Sequence, residues 1–192
     1  VLKGVAFGHD MGLGGRIAVV GGGNVAMDVA RTAVRMGASE VQVLYRRTRN
    51  EMPADPEEIE ESGHEGVRFS YLVNPIRIIP HAGHVTVECI RMELGEPDAS
   101  GRRRPIPIKD SEYDMEMDTV VMALGTQPNP LVFDGARALE RSRWGTAVTD
   151  EATGRTRMER VWAGGDIVTG AATVISAMGA GRVAANDIDR YL

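Results

Sequence analysis

The stretch "RIAVVGGGNVAMDVARTAVRMGA", residues 16–38, leaves this chain few folds to choose from. Ile17 to Val20 form an apolar, β-branched run of the kind that makes a strand buried on both faces. Ala26, Met27, Ala30, Ala33, Val34 and Met36 then recur at three- and four-residue steps, the spacing of a helix with one buried face. Gly37 supplies its stop. Between strand and helix stand Gly21, Gly23 and Ala26, in the pattern Gly-x-Gly-x-x-Ala. The first glycine permits a tight turn, the second lets the backbone come close to a pyrophosphate, and the small third residue lets helix and strand pack closely. Phosphates would rest on the free N–H groups and positive dipole of the helix N-terminus. The candidate turn comprises Gly21, Gly22, Gly23, Asn24, Val25 and Ala26, with Asn24 placed to donate a side-chain hydrogen bond. Three adjacent glycines alone would equally suit a structural turn with no ligand. The context favours a nucleotide, because "EVQVLYR" follows as a second strand and completes a right-handed strand–helix–strand unit.

The end of that second strand separates the two nicotinamide cofactors. An acid there bonds the ribose hydroxyls, whereas Arg accommodates a 2′-phosphate. The chain reads "LYRRTRN", with no acid until Glu51. Arg46 and Arg47 match phosphate geometry and stay charged at any working pH. A solvated basic loop is the competing reading; the position at the strand end favours NADP(H) over NAD(H).

Composition bounds the rest. At 192 residues and 43% hydrophobic content, the chain suits one large or two small folded domains. A formal net charge of −5 argues against nucleic acid as a main partner, because phosphate-backbone binding needs concentrated positive charge. No apolar run approaches the roughly 20 residues that cross a bilayer, and "VLKGVAFGHD" lacks the apolar core of a signal peptide. The expectation is a cytoplasmic protein without a membrane partner. Cys89 is the only cysteine, so no internal disulfide or Cys-held iron–sulfur cluster can form within these residues. It reads as a space-filling strand residue. His9, His64, His81 and His84 lack ligand spacing, and no metal site is assigned.

"PADPEEIEESGHEGV" reads as a short solvated helix. "VRFSYLV", "IRIIP", "HVTVECIRMEL" and "IPIKD" read as an antiparallel meander laid against a parallel sheet. "GEPDASGRRRP" is a polar hairpin tip whose Arg102, Arg103 and Arg104 suit a solvated loop or an acidic partner. "MDTVVMALGTQPNP" gives another buried strand, Thr119 to Ala123, which runs into Gly125 and a Pro-rich break taken as a domain boundary. The carboxyl end of this strand should lie beside the first site, where open α/β sheets bind ligands. The fold class is therefore α/β, a Rossmann-like parallel sheet with an antiparallel meander.

Three segments, "VVGGGNVAMDVARTAVRMGASEVQVLYRRTRNEMPA", "ALGTQPNP" and "VWAGGDIVTGAATVISAMGAGRVAANDIDRYL", resemble the small (beta) subunit of NADPH-dependent glutamate synthase and related pyridine nucleotide-disulfide-type flavin oxidoreductases. These relatives include the NADPH-binding part of dihydropyrimidine dehydrogenase and a subunit of NADH-dependent ferredoxin:NADP oxidoreductase. The resemblance runs from Gly14 to Leu192. It implies an NADPH domain inserted into an FAD domain, with residues 1–13 a linker from the FAD domain, 14–127 the NADP(H)-binding domain and 128–192 the C-terminal segment of the split FAD domain. The first Gly-rich FAD motif and a Cys-rich iron–sulfur segment would belong upstream, so the FAD site is expected to be incomplete.

Carried over residue by residue, the resemblance places the NADPH pyrophosphate at Gly21 to Ala26 and the 2′-phosphate at Arg46 and Arg47, and Gly125 is taken as a further cofactor-binding residue. It places Gly165 and Asp166 at the FAD ribityl and pyrophosphate, and Ala172, Thr173 and Val174 at the flavin pyrimidine edge. A small-residue helix starting near Thr173 would point its positive dipole at the flavin carbonyl. Its small residues, Ala177, Gly179, Ala180, Gly181, Ala184 and Ala185, would also suit plain close packing.

The family passes a hydride from NADPH to FAD and sends electrons on to iron–sulfur centres, with a large subunit or iron–sulfur protein as acceptor. That chemistry resides in the cofactors, so no catalytic side chain is assigned. Taken alone, these residues are expected to be inactive. The alternative is a non-catalytic NADPH-binding module that regulates or docks with a partner. A single-dinucleotide dehydrogenase would need a Tyr/Lys pair or a His base in a substrate domain, and the sequence offers neither.

Overall fold

Strand β1 (Arg16–Val20) is a run of Ile, Ala and Val with no polar side chain after Arg16, and it is buried on both sides. Residues 1–97, 103–126 and 128–192 are described in the computed structural model. They separate into two units, Val1–Leu124 and Gly125–Leu192. Residues 98–102 of the hairpin tip, Arg102 among them, and Gln127 at the expected boundary lie outside the described residues.

The first unit begins with the one-and-a-half-turn helix α1 (Leu2–Ala6), ahead of β1. It continues through α2 (Asn24–Arg35), β2 (Glu40–Tyr45), α3 (Pro56–His64) and β3 (Arg68–Tyr71). Strands β4 (Val73–Pro80), β5 (Val85–Pro97), β6 (Arg103–Pro107), β7 (Tyr113–Met117) and β8 (Thr119–Met122) complete it. One sheet is parallel throughout, in the order β3-β2-β1-β8. The second is antiparallel, with β5 paired to β4, β6 and β7.

The alternation of β1 explains why two layers cover this parallel sheet. Ile17 and Val19 face α2, where they pack with Ala26, Met27, Val29, Ala30 and Ala33. Ala18 and Val20 face the other way, into a cluster with Leu44, Val73, Val87, Cys89 and Met117. Period-2 side-chain alternation thus sends one strand's apolar residues into two cores. Cys89 is fully buried, and burial pushes its thiol pKa up to about 11, which suits the packing role read from the sequence.

Three sequence expectations change. "VRFSY" does not join the meander: β3 pairs parallel with β2, from Gln42 beside Arg68 to Tyr45 beside Tyr71. Helix α3 forms the crossover that returns the chain in the same direction, and Leu72, at φ 55, then kinks it into β4. The strand expected over "IPIKD" lies earlier, at Arg103–Pro107, because a turn at Lys109 and Asp110 (φ 57) ends the ladder. Strand β7 was not anticipated at all.

The second unit has α4 (Leu131–Gly135), α5 (Asp166–Thr169) and the long α6 (Val174–Tyr191). Its core joins Phe133, Leu139 and Ala147 with Ile167 and Val168. Helix α6 comes so close to the preceding loop that a Cβ on Gly164 would lie 2.8 Å from the Ala180 carbonyl carbon and oxygen. A Cβ on Gly154 would lie 3.1 Å from that of Ala184. The small residues Ala180 and Ala184 therefore serve close packing. Near the helix end, the buried Asp187 accepts from Trp162 Nε1 at 2.8 Å and from Arg155, tying the last turns to the loop.

Candidate functional site

The glycine turn follows β1 at the carboxyl edge of the parallel sheet. From β1 the chain proceeds outward to β2 and β3, and β8 returns on the opposite side of β1. That reversal of strand order is where open α/β sheets form a crevice. Gly21 adopts φ 145, and a Cβ there would sit 2.3 Å from the Ala123 carbonyl oxygen just past β8. Gly22 faces the Tyr45 ring, 2.5 Å from the position of its absent Cβ. Tyr45 cannot withdraw cheaply, being buried and bonded through its hydroxyl to the Glu51 carbonyl at 2.7 Å. Gly23 is different: its nearest neighbour on that side is Pro53 Cγ at 3.9 Å. Protein packing thus requires the first two glycines and leaves open space at the third.

Gly23 is the N-cap of α2 and no side chain caps the helix. Among the described residues, the N–H groups of Gly22, Gly23, Asn24 and Val25 donate to no acceptor. Ala26 is fully buried against the strand, as the small third residue of the motif requires, while Val25 is 58% exposed. The Asn24 amide oxygen accepts from the Asp55 N–H at 2.8 Å, so the part of Asn24 left for an anion is its NH₂ group. A loop with open space, four free donors and a helix dipole behind it fits an anionic group of phosphate chemistry.

Strand β2 delivers the arginines to the same edge. Arg46 is exposed, and neither it nor Arg49 pairs with a carboxylate among the described residues. Arg47 donates through Nε to the Arg103 carbonyl at 2.9 Å. Both acids of the loop between β2 and α3 have partners: the Glu51 carboxylate accepts from the Thr48 hydroxyl at 2.5 Å and the Thr48 N–H at 3.1 Å, and the Asp55 carboxylate accepts from the Glu57 N–H at 3.0 Å. The hydroxyl bond, with a lesser contribution from the Arg103 charge, holds Glu51 below the usual carboxylate range. The Thr-x-x-Glu spacing of a capping box was a legible signal for this arrangement. Tyr45 and Arg103 were not recognised from sequence as parts of the site's frame.

In the second unit, Gly165 is buried at φ 81 and is the N-cap of α5. Asp166 is exposed, and its carboxylate has no partner among the described residues. Ala172, Thr173 and Val174 are exposed at the start of α6, where the Thr173 hydroxyl caps the helix by accepting from the Ser176 N–H at 3.2 Å. Val174, Ile175 and Met178 are 77%, 82% and 64% exposed. Gly125 is exposed with open space around it; Ala123, two residues earlier, meets the glycine turn. No group of three or more His, Cys, Asp or Glu residues able to hold a metal ion occurs among the described residues. None of the described helices is long and apolar enough to cross a membrane.

The chain is 45% identical to the beta subunit of NADP(+)-dependent formate dehydrogenase from Moorella thermoacetica, over 100% of this chain and 28% of that protein. It is 41% identical to the glutamate synthase [NADPH] small chain of Azospirillum brasilense, over 93% of this chain and 37% of that one. It thus spans only about a third of the length of these curated relatives. Among solved structures, FprA from Mycobacterium tuberculosis superposes with a TM-score of 0.72 over 93% of this chain and 53% of FprA, at 19% identity, a likeness of fold. The glycine turn, the parallel sheet and most of the second unit all fall within residues 5–181, which match the pyridine nucleotide-disulphide oxidoreductase family, and to that family the chain belongs.

Proposed function

We infer that this chain forms the NADPH-binding part and the rear of the FAD site of a flavin oxidoreductase resembling the glutamate synthase small chain. On this reading 14–127 is the NADPH domain and 128–192 completes a split FAD domain. The observation that carries it is the glycine turn: Gly21 and Gly22 are forced by packing, Gly23 is open, and four backbone N–H groups have no acceptor among the described residues.

The pyrophosphate of NADPH is held by Gly21 to Ala26 and its 2′-phosphate by Arg46 and Arg47. The acids of that loop are engaged elsewhere, Glu51 by Thr48 and Asp55 as the cap of α3. For FAD, Asp166 serves the ribityl chain, and Ala172 to Val174 serve the pyrimidine edge at the N-terminus of an 18-residue helix. When bound, the two cofactors supply hydride transfer, and electrons pass onward to an iron–sulfur or protein acceptor in the whole protein. The chain's residues bind and orient; none is needed as acid or base. Gly125 belongs to the same proposal with the least support, since an added Cβ there would meet nothing within 4 Å.

Titrating this chain with each cofactor tests the reading. NADPH is expected to bind, and FAD weakly or not at all, because the relatives are about three times longer and the ADP half of the FAD site is assigned to residues upstream. Stoichiometric, tightly held FAD would contradict the division of the FAD domain, and failure to bind NADPH would contradict the function.

A further inference from the structure

We propose that Arg103 is a positioning residue for the 2′-phosphate site, setting the Arg47 guanidinium from strand β6. The inference rests on the NADPH reading above. Arg47 and Arg103 lie 56 residues apart, yet Arg47 Nε donates to the Arg103 carbonyl at 2.9 Å. A guanidinium carries five donors in a rigid fork. Anchoring Nε leaves both terminal nitrogens, the edge that pairs bidentately with phosphate. Those nitrogens have no partner among the described residues.

The anchor is itself held. Arg103 donates through Nε to the Gly95 carbonyl and through Nη2 to the Leu94 carbonyl, both at 3.0 Å. These bonds close the β5–β6 ladder where its register shifts between Leu94 and Pro97. At Gly95 the Ile106 side chain fills the space of an absent Cβ, which would lie 2.7 Å from its Cδ1. On the other side, the Leu72 N–H donates to the Arg47 carbonyl at 3.1 Å and fixes the Arg47 backbone. Arg47 is therefore ordered before any ligand arrives, which lowers the entropy cost of binding through it. The antiparallel sheet, remote in sequence from the glycine turn, thereby contributes to the choice between cofactors.

The test uses the full chain, adenosine 2′,5′-bisphosphate and NADH, titrated calorimetrically. R103A should weaken the bisphosphate about three- to tenfold and leave NADH unchanged, since the cost removed is that of ordering one side chain. R103K should recover part of the loss. The double variant R47A/R103A should bind the bisphosphate no worse than R47A alone, the signature of one residue acting through the other. Losses that multiply in the double variant would place Arg103 on the phosphate and overturn the positioning role. So would an R103A that loses NADH equally, which would indicate a general loss of fold. An unaltered R103A beside a discriminating wild type overturns this inference alone, whereas a wild type that binds adenosine 5′-phosphate as well as the bisphosphate overturns the NADPH reading beneath it.

Discussion

The three glycines after β1 look alike in the sequence and have different reasons for being there. Gly21 needs a positive φ and shares its space with the Ala123 carbonyl, and Gly22 gives way to the Tyr45 ring. Gly22→Ala should destabilise the first unit by about 1–3 kcal/mol, the range for forcing a methyl into a packed site. Gly23→Ala should cost under about 1 kcal/mol, because its Cβ meets only Pro53 at 3.9 Å and its backbone, at φ −94, is open to any residue. The same substitution should weaken NADPH, whose pyrophosphate would meet the added methyl. Thermal unfolding and NADPH titration of both variants check this pair. A Gly23→Ala protein that keeps full NADPH affinity would remove Gly23 from the site. The glycine spacing was legible in the sequence because the motif is contiguous. Tyr45 against Gly22 and Arg103 against Arg47 were not, because each contact is made by strands that meet only in the folded sheet.

At the scale of elements, burial decided what could be read. Strand β1 after Arg16 is an apolar run because both faces are covered, and that composition announces a parallel strand. "VRFSY" alternates and is partly exposed, so its residues suit either sheet; the α3 crossover and the kink at Leu72 settle the choice. Strand β7, "YDMEM", puts acids between its inward residues Tyr113, Met115 and Met117, and reads as a polar loop until β5 is beside it. Helices α2 and α3 are clamped by Glu65, which accepts from Arg31 at 2.7 Å and from Arg35 at 2.6 Å. Those guanidinium bonds, Arg31 first, hold the Glu65 carboxyl down at about 2, against an ordinary 4.5. A folded-state pKa below the unfolded value gives stability that is present above 4.5 and lost as pH falls toward 2. The melting temperature should accordingly decline through that window, and Glu65→Gln should flatten the decline. An identical acid profile in the variant would show that the clamp contributes nothing to stability.

For the molecule as a whole, each unit has its own core, and each presents one feature that its own packing does not use. In the first unit the feature is a helix N-terminus without a cap, beside arginines without acid partners. In the second it is the start of α6, where Val174, Ile175 and Met178 stand exposed although the helix packs tightly elsewhere through Ala180 and Ala184. On the proposed reading the first feature belongs to the NADPH site and the second to the FAD site, and the family match over residues 5–181 takes in the first and most of the second. The claim on which this account depends is that the first unit recognises NADPH through its 2′-phosphate. Calorimetric titration of NADPH and NADH into the wild type and the R46A/R47A variant tests it most directly. Loss of two charge-assisted contacts should weaken NADPH on the order of 10- to 100-fold or more and leave NADH nearly unchanged. Equal losses for the two cofactors, or none for NADPH, would contradict it.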